Sequence, residues 1–332
     1  MGLVELESVA PLLICPRCGC GLVEAERAYR CGAVSCVFST PEAFPVVGRW
    51  PVLVDFERSI LRPDAVLSLP DGRSVPLTGI PRWSIDRLPR PLRSWWKPVN
   101  RVAARNVELL LSLLPGSSPL ILVVGGGTMG NGLEELYADE RLRLLAFDVY
   151  PSPLTRFVAD AHQIPLADES VDAVVIQAVL EHVLDPQQVV GEIHRVLRQG
   201  GLVYAETPFL QQVHAGPYDF TRYTRSGHRY LFRNFEEIVS GSVAGPGTQM
   251  LWSVDHLLRG LLRSELAGKL ARGVLFGLRY LDRVIPDSYA MDDASAYYFL
   301  GERSDRALTP EEIIAYYRGA QRTRSGRRSA PH

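Results

Sequence analysis

Residues 120–132 read L-I-L-V-V-G-G-G-T-M-G-N-G. The first five form a continuous apolar run, as a strand buried on both faces requires. Gly125, Gly127 and Gly130 then match the spacing G-x-G-x-x-G. A glycine turn directly after a strand lets the backbone approach a ligand, and the helix expected next offers free N–H groups. Several nucleotide-containing ligands use such a turn, so the residues around it must choose among them.

Outward from the loop, helical and strand patterns alternate. Val102, Val107, Leu110, Leu111 and Leu114 recur at helical spacing within Val99–Leu114, and Pro115-Gly116 ends that segment. Arg143–Phe147 reads as a second buried strand closed by Asp148, and Val171–Ile176 as another. Gln187–Leu197 has the amphipathic spacing of a helix, Gly200-Gly201 reads as a turn, and Leu202–Ala205 as a strand. Phe235–Val243 and Ala294–Leu300 suit two further strands, with a mostly helical insertion between them. This alternation predicts an α/β fold, a doubly wound and mostly parallel sheet.

Asp148, at the end of the second strand, lies near the usual ~20 residues from the glycine loop and can accept from ribose hydroxyls. Nicotinamide, flavin and S-adenosylmethionine (SAM) sites share these two features. Three later segments discriminate: V-A-D-A-H-Q-I-P-L-A-D-E-S-V-D-A-V-V (158–175), Q-A-V-L-E-H-V-L-D-P (177–186) and E-I-H-R-V-L-R-Q-G-G-L-V-Y-A-E-T-P-F (192–209). In this order and spacing the stretch Leu120–Tyr230 resembles the class I SAM-dependent methyltransferases, in particular the broad type 11 group. The resemblance implies a seven-stranded Rossmann-like sheet and SAM as cofactor. It implies that Gly125 and Gly127 form the loop beneath the methionine part and that Asp148 binds the ribose. Asp160 and Ala161 would contact the adenine, and Gln177 would face the methyl. Two positions depart from the family: Val123 stands where an acidic residue is usual, and Met129 where the third glycine is usual. Glu181 and His182 follow near the expected pocket mouth, where Glu181 reads equally as a helix cap. His182 and His194 read as surface or packing residues.

Residues 206–230, E-T-P-F-L-Q-Q-V-H-A-G-P-Y-D-F-T-R-Y-T-R-S-G-H-R-Y, follow the fifth sheet strand at the edge where such sheets bind ligands. Methyl transfer to a hydroxyl needs the acceptor aligned and a base for its proton. His214 is the candidate base, with Asp219 as its orienting partner or as the base itself. Tyr218, Arg222 and Tyr223 are candidate acceptor contacts, Arg222 through an anionic group. An internal Asp219–Arg222 ion pair that pins the loop is the competing reading for Arg222.

All five cysteines fall between residues 15 and 36. Cys15-x2-Cys18, twelve residues, then Cys31-x4-Cys36 place two thiol pairs as a tetrahedral zinc site requires, and a closed four-thiolate shell is structural. Cys20 is a spare that could exchange with Cys18. The stretch through Val54 resembles the small zinc ribbon found fused to, or partnering, some methyltransferases, which implies a stabilising or substrate-presenting role.

The chain has 332 residues, of which 46% are hydrophobic. Its 36 Lys and Arg against 37 Asp and Glu give a net charge of −1, so no whole-chain field draws it to nucleic acid or membrane. Met1–Ala10 carries Glu5 and Glu7 and no cationic region of a secretory signal, and no apolar run reaches a membrane span. These features predict a cytoplasmic protein without transmembrane segments. The expected organisation is a zinc-ribbon-like domain at 1–56, a Pro/Arg-rich linker at 57–97, a methyltransferase domain at 98–305 with a helical insertion at about 246–286, and a C-terminal helix and basic tail at 306–332. The linker carries Arg82, Trp83, Arg87, Arg90, Arg93, Trp95, Trp96 and Lys97, a mixture that could meet RNA or lipid headgroups. The helical insertion could rest on a membrane surface, cover the active site or form a dimer. The sequence therefore predicts a SAM-dependent methyltransferase acting on an acceptor hydroxyl of a small molecule or glycan-like metabolite. An RNA methyltransferase with zinc-ribbon substrate recognition is the first alternative. A non-catalytic scaffold of the same fold is the second.

Overall fold

The computed structural model describes residues 2–67 and 99–322. Most of the expected linker, with its Arg82–Lys97 stretch, and the tail beyond residue 322 lie outside the described residues. Near the N-terminus, β1 (Leu22–Ala25), β2 (Ala28–Cys31), β3 (Phe44–Val47) and β4 (Trp50–Pro51) make a four-stranded antiparallel sheet. The central sheet uses β5 (Leu120–Val124), β6 (Arg143–Asp148), β7 (Phe157–Val158), β8 (Val171–Gln177), β9 (Leu197–Pro208), β10 (Phe235–Ala244) and β11 (Ala296–Arg303). Its order is β10-β11-β9-β8-β5-β6-β7. Strands β5 to β9 pair in parallel, and β11 runs antiparallel to both neighbours. The seven-stranded, mostly parallel sheet is thus present. The chain steps outward from β5 to β6 and β7, then returns to β8 on the other side, so the carboxyl ends of β5 and β8 flank the crevice where such sheets bind ligands.

Helices are α1 (Pro63–Leu67), α2 (Arg101–Leu113), α3 (Glu134–Ala138), α4 (Pro186–Val196), α5 (Arg225–Leu231), α6 (Pro246–Leu262), α7 (Glu265–Val274), α8 (Asp287–Asp292) and α9 (Pro310–Tyr316). Helix α4 starts where the Asp185 carboxylate accepts from the Gln188 N–H at 3.0 Å, with Pro186 in its first turn. Its Val189, Val190, Ile193 and Val196 are buried against the sheet, each contributing about 1.5–3 kcal/mol of burial. Asn100 caps α2 by accepting from Ala103 N–H at 3.0 Å. One boundary differs from the sequence reading: β9 begins at Leu197 and runs through Gly200-Gly201. The glycines do not end the strand. They mark an irregularity, with Gly200 at φ +72° and a register shift against β8. The insertion between β10 and β11 is helical as expected, built from α6, α7, the 3₁₀ segment Phe276–Arg283 and α8. Among the described residues no helix is long and apolar enough to cross a membrane.

The N-terminal segment seals edges of the central sheet. Val4 N–H donates to Leu144 O at 2.9 Å, and Leu144 N–H to Gly2 O at 2.7 Å, where β6 has no strand neighbour on that side. Leu53 N–H donates to Val158 O at 2.8 Å, beyond the short edge strand β7. Unpaired edges invite association with other chains, and these contacts remove them. Trp50 Nε1 donates to the carbonyls of Ser152 and Thr155 at 3.0 and 3.1 Å. Val9, Leu13, Tyr29, Phe44 and Leu53 share one core cluster with Leu145, Phe147 and Ile176 of the central sheet.

Arg17, inside the first cysteine pair, reaches across to Asp55 with both Nε and a terminal nitrogen, the latter at 2.8 Å. Asp55 is fully buried. Burial opposes its charge, yet the Arg17 bonds outweigh that and hold its carboxyl below the ordinary range. A depressed carboxyl pKa means that this stabilisation is present above the unfolded value and is lost as pH falls through the folded one. Removing the cation leaves a buried carboxylate with only the Glu57 N–H at 3.2 Å and the more distant Arg58 at 3.9 Å to offset it, and breaking a buried pair typically costs about 3–5 kcal/mol. Arg17→Met is expected to lose that order of stability at pH 7 in urea denaturation. The gap to wild type is expected to narrow at pH 3, where the orphaned carboxylate protonates.

Candidate functional site

At the carboxyl edge, β5 ends in Val124 and the chain turns at Gly125, whose φ is +72°. A Cβ there would lie 2.3 Å from Val179 Cγ2. At Gly127 a Cβ would meet Asp148 Oδ2 and the Tyr150 ring at 2.6 Å. Both positions therefore need glycine, one for conformation and space, the other for space. The Gly127 N–H donates to Asp148 Oδ2 at 2.8 Å, and Val149 N–H donates to Oδ1 at 2.7 Å. Burial pushes the Asp148 carboxyl up to about 6 in spite of these two donors.

Gln177, the last residue of β8, faces the same loop: a Cβ at Gly130 would fall 1.9 Å from its Oε1. Its Nε2 donates to Asn131 O at 3.2 Å and to Glu206 Oε2 at 2.7 Å. Glu206 is buried at the end of β9 and also accepts from Asn100 Nδ2 at 2.9 Å and Tyr204 OH at 2.5 Å. Burial raises its pKa, while these donors work in the opposite direction. Sequence reasoning missed Glu206 and Asn100 as site residues. The legible signal was a glutamate directly after the apolar run Leu202–Ala205. Val123 points into the core cluster with Ile121, Ala146 and Val175, and Met129 is exposed.

Asp160 and Ala161 lie just beyond β7, both buried. The Asp160 carboxylate is already engaged. Oδ2 accepts from Ser59 Oγ, and Oδ1 accepts from the His162 backbone N–H at 2.9 Å and from its ring Nδ1 at 2.6 Å. Asp185 N–H donates to His162 Nε2 at 3.1 Å, which fixes Nδ1 as the protonated nitrogen. Burial opposes the Asp160 charge, but the His162 and Ser59 bonds prevail and keep its pKa below the ordinary range. Ser59 precedes Leu61 and Val66, which pack with Val158 and Val149 beside the same strand ends.

The 206–230 segment brings His214 over the chain that leaves β8. Asp219 is held by Arg222, with Nη2 donating to Oδ2 at 2.7 Å and Nη1 to Oδ1, and it accepts from His214 N–H at 3.0 Å. Burial alone would raise the Asp219 pKa, but the Arg222 pairing brings it to about 2. Such a group stays ionised at neutral pH, which suits an orienting partner better than a proton acceptor. Arg222 is spent inside the loop, on Asp219 and on the carbonyls of Thr221, Gln211 and Gln212, as the internal ion-pair reading holds. Tyr218 contributes its carbonyl, which accepts from His182 Nδ1 at 2.7 Å. Tyr223 packs against the core.

His214 Nε2 lies 3.5 Å from Glu181 Oε1, and His182 Nε2 lies 3.6 Å from the same oxygen. Glu181 is not a helix cap. It is fully buried, and neither carboxylate oxygen has a hydrogen-bond donor among the described residues. The carboxylate opposite is the main cause that raises the His214 pKa, with burial working against it.

The thiol atoms of Cys15, Cys18, Cys31 and Cys36 lie within 4.8 Å of one another. The pairs Cys15–Cys36 and Cys18–Cys31 stand at 3.8 and 3.4 Å. A tetrahedral zinc with ~2.3 Å bonds sets its sulfurs about 3.8 Å apart, so the four thiols fit one. Cys20 is exposed and outside the group.

Residues 124–205 match the family model described as a methyltransferase domain. A demethylmenaquinone methyltransferase of Renibacterium salmoninarum is 34% identical over 140 residues, 40% of this chain and 56% of that one. An uncharacterized methyltransferase of Mycobacterium tuberculosis is 37% identical over 99 residues, 27% of this chain and 40% of that one. The chain thus spans about half the length of the relatives it matches. Among solved structures, a SAM-dependent methyltransferase from Archaeoglobus fulgidus is similar at a TM-score of 0.40 and 12% identity, covering 64% of this chain and 98% of the other. A Haemonchus contortus phosphoethanolamine N-methyltransferase in complex with SAM is similar at 0.40 and 16%, covering 60% and 52%.

The glycine loop makes a quantitative expectation. Gly125→Ala adds a left-handed penalty and a clash with Val179, together about 2–4 kcal/mol. The urea midpoint is expected to fall accordingly with an unchanged slope. A shift within error of zero would mean that the loop does not approach Val179.

Proposed function

We propose that the protein is a SAM-dependent methyltransferase that places a methyl on a hydroxyl of a small-molecule or glycan-like acceptor. The observation that carries this reading is the Gly127 N–H held on Asp148 at 2.8 Å, inside the segment that matches a methyltransferase domain. A ribose fits this arrangement because its hydroxyls can donate to the lone pairs that Gly127 and Val149 leave on the carboxylate. Gly125 and Gly127 lie beneath the methionine part, and Gln177, fixed by Glu206, faces the methyl. Asp160 and Ala161 close the adenine end, where the amine joins Ser59 as a donor to Asp160 Oδ2. SAM supplies an electrophilic methyl on a sulfonium, which becomes a neutral thioether when the acceptor oxygen takes the methyl and its hydroxyl proton passes to His214 as base.

Acceptor chemistry falls to the 206–230 segment. His214 is the exposed member of a group otherwise recessed, so it is the residue that meets the acceptor, with Asp219 and Arg222 holding the loop in place. Tyr218 steadies His182 through its carbonyl, and Tyr223, packed against the core, supports the segment. The four thiols hold a structural zinc that fixes the N-terminal sheet, and through Arg17 and Asp55 the segment leading to Ser59. The Arg82–Lys97 stretch that would favour an RNA acceptor lies outside the described residues.

Ribose hydroxyls donate to the ionised form of Asp148. Its pKa is raised to about 6, so SAM binding is expected to hold at pH 7.5 and to weaken as pH falls through 6 toward 5. Asp148→Asn is expected to weaken binding about 10–100-fold, the loss of a hydrogen bond to a charged group, and to flatten the pH profile. Isothermal titration checks both. A folded wild-type protein that takes up no SAM would sink the cofactor assignment and leave the scaffold reading.

A further inference from the structure

Glu181 presents an unsolved physical problem. A carboxylate wholly removed from water costs several kcal/mol unless paired or hydrogen-bonded. Here both oxygens lack donors among the described residues. Asp55, Asp160 and Glu206 are comparably buried, and each has its donors. The groups Glu181 does face are two imidazole nitrogens at 3.5 and 3.6 Å, at or beyond the limit of a hydrogen bond.

Those imidazoles converge on one carboxylate oxygen. His182 is fixed through Nδ1, which donates to Tyr218 O at 2.7 Å. His214 Nδ1 faces Gln212 O at 3.4 Å and Asp219 Oδ2 at 3.5 Å. His182 thus commits its Nδ1–H to an acceptor and turns Nε2 toward Glu181, and His214 presents its own Nε2 to the same carboxylate oxygen. Metal-binding histidines are oriented this way by the groups behind them. The rings meet edge to face at 4.9 Å, and the three ligand atoms lie within 4.8 Å of one another. A tetrahedral ion with ~2.1 Å bonds to nitrogen and oxygen sets donors about 3.4 Å apart, close to the two distances measured here. The exposure of His214 leaves one side of the group open.

We propose that Glu181, His182 and His214 bind one divalent first-row transition-metal ion, with at least one coordination position open toward the pocket mouth. Two imidazoles and a carboxylate suit such an ion, and the open position distinguishes it from the closed four-thiol site. The binding site stands on these side chains alone. Only its role rests on the methyltransferase reading: with the ion bound, an acceptor hydroxyl on the open position would lose its proton to solvent more readily, and His214 would serve as a ligand in place of the base.

The test uses Co2+ titrated into zinc-loaded full-length protein and followed by visible absorption. One equivalent is expected to bind with a nitrogen–oxygen spectrum and no thiolate-to-cobalt charge-transfer band. Glu181→Gln and His214→Ala, checked for fold by circular dichroism, are expected to weaken binding at least tenfold. His194→Ala, on the outer helix, is expected to leave it unchanged. Uptake marked only by thiolate bands, or undiminished in Glu181→Gln and His214→Ala, would overturn the proposal. SAM titration of the same wild-type sample separates the two readings. SAM uptake without cobalt uptake removes the metal site alone, whereas cobalt uptake without SAM uptake upholds it and removes the methyltransferase reading.

Discussion

Acid side chains gather along the carboxyl edge of the central sheet, and each must be matched because charge withdrawn from water is costly. Asp148 takes two backbone N–H groups, one of them from the glycine loop. Asp160 takes Ser59 and His162. Glu206 takes Asn100, Tyr204 and Gln177. These matchings position the loop, the segment after the N-terminal sheet, the start of α2 and the end of β8 around one crevice. The site is in this sense a consequence of satisfying its carboxylates. Glu181 is the member whose carboxylate oxygens have no hydrogen-bond donor among the described residues, and it faces His182 and His214.

The N-terminal region belongs to this arrangement physically, whatever its evolutionary origin. Its backbone completes edges at Leu144 and Val158, and its apolar residues merge with the main core. A continuous line of contacts runs from the first cysteine pair through Arg17 to Asp55. Four residues further on comes Ser59, which donates to Asp160. The four-thiol cluster and the crevice are thus joined by one buried ion pair and a short segment of chain.

Much of the fold was legible because buried parallel strands are continuous apolar runs and amphipathic helices repeat at 3–4 residues. Leu120–Val124 and Pro186–Val196 show both signals cleanly. Gly200-Gly201 misled because glycines in a strand can mark an irregularity as well as a turn. Strand β7 is too short for any periodicity. In the site, the cysteines, glycines and Asp148 were legible because their spacing carries their chemistry. The partners that satisfy them were not. Asn100, Ser59 and Glu206 are separated by long stretches of sequence from the groups they touch, and only folding brings them together. Glu181 beside His182 reads as an ordinary helix start until the structure shows His214 arriving from another loop.

The exit from β8 ties these observations together. Ala178 adopts φ +55°, costly for a residue with a side chain, and its N–H is held by Glu206 O at 3.0 Å. That turn leaves Gln177 facing the glycine loop, presses Val179 against Gly125, and carries Glu181 on to the two histidines. Strain at one residue therefore sets both the space beneath the loop and the direction of the unsatisfied carboxylate. An extended Ala178 would relieve the strain but would withdraw Val179 from the loop and Glu181 from His214 together. The crevice and the histidine cluster are two sides of a single turn, which the Glu206 backbone carbonyl holds through the Ala178 N–H.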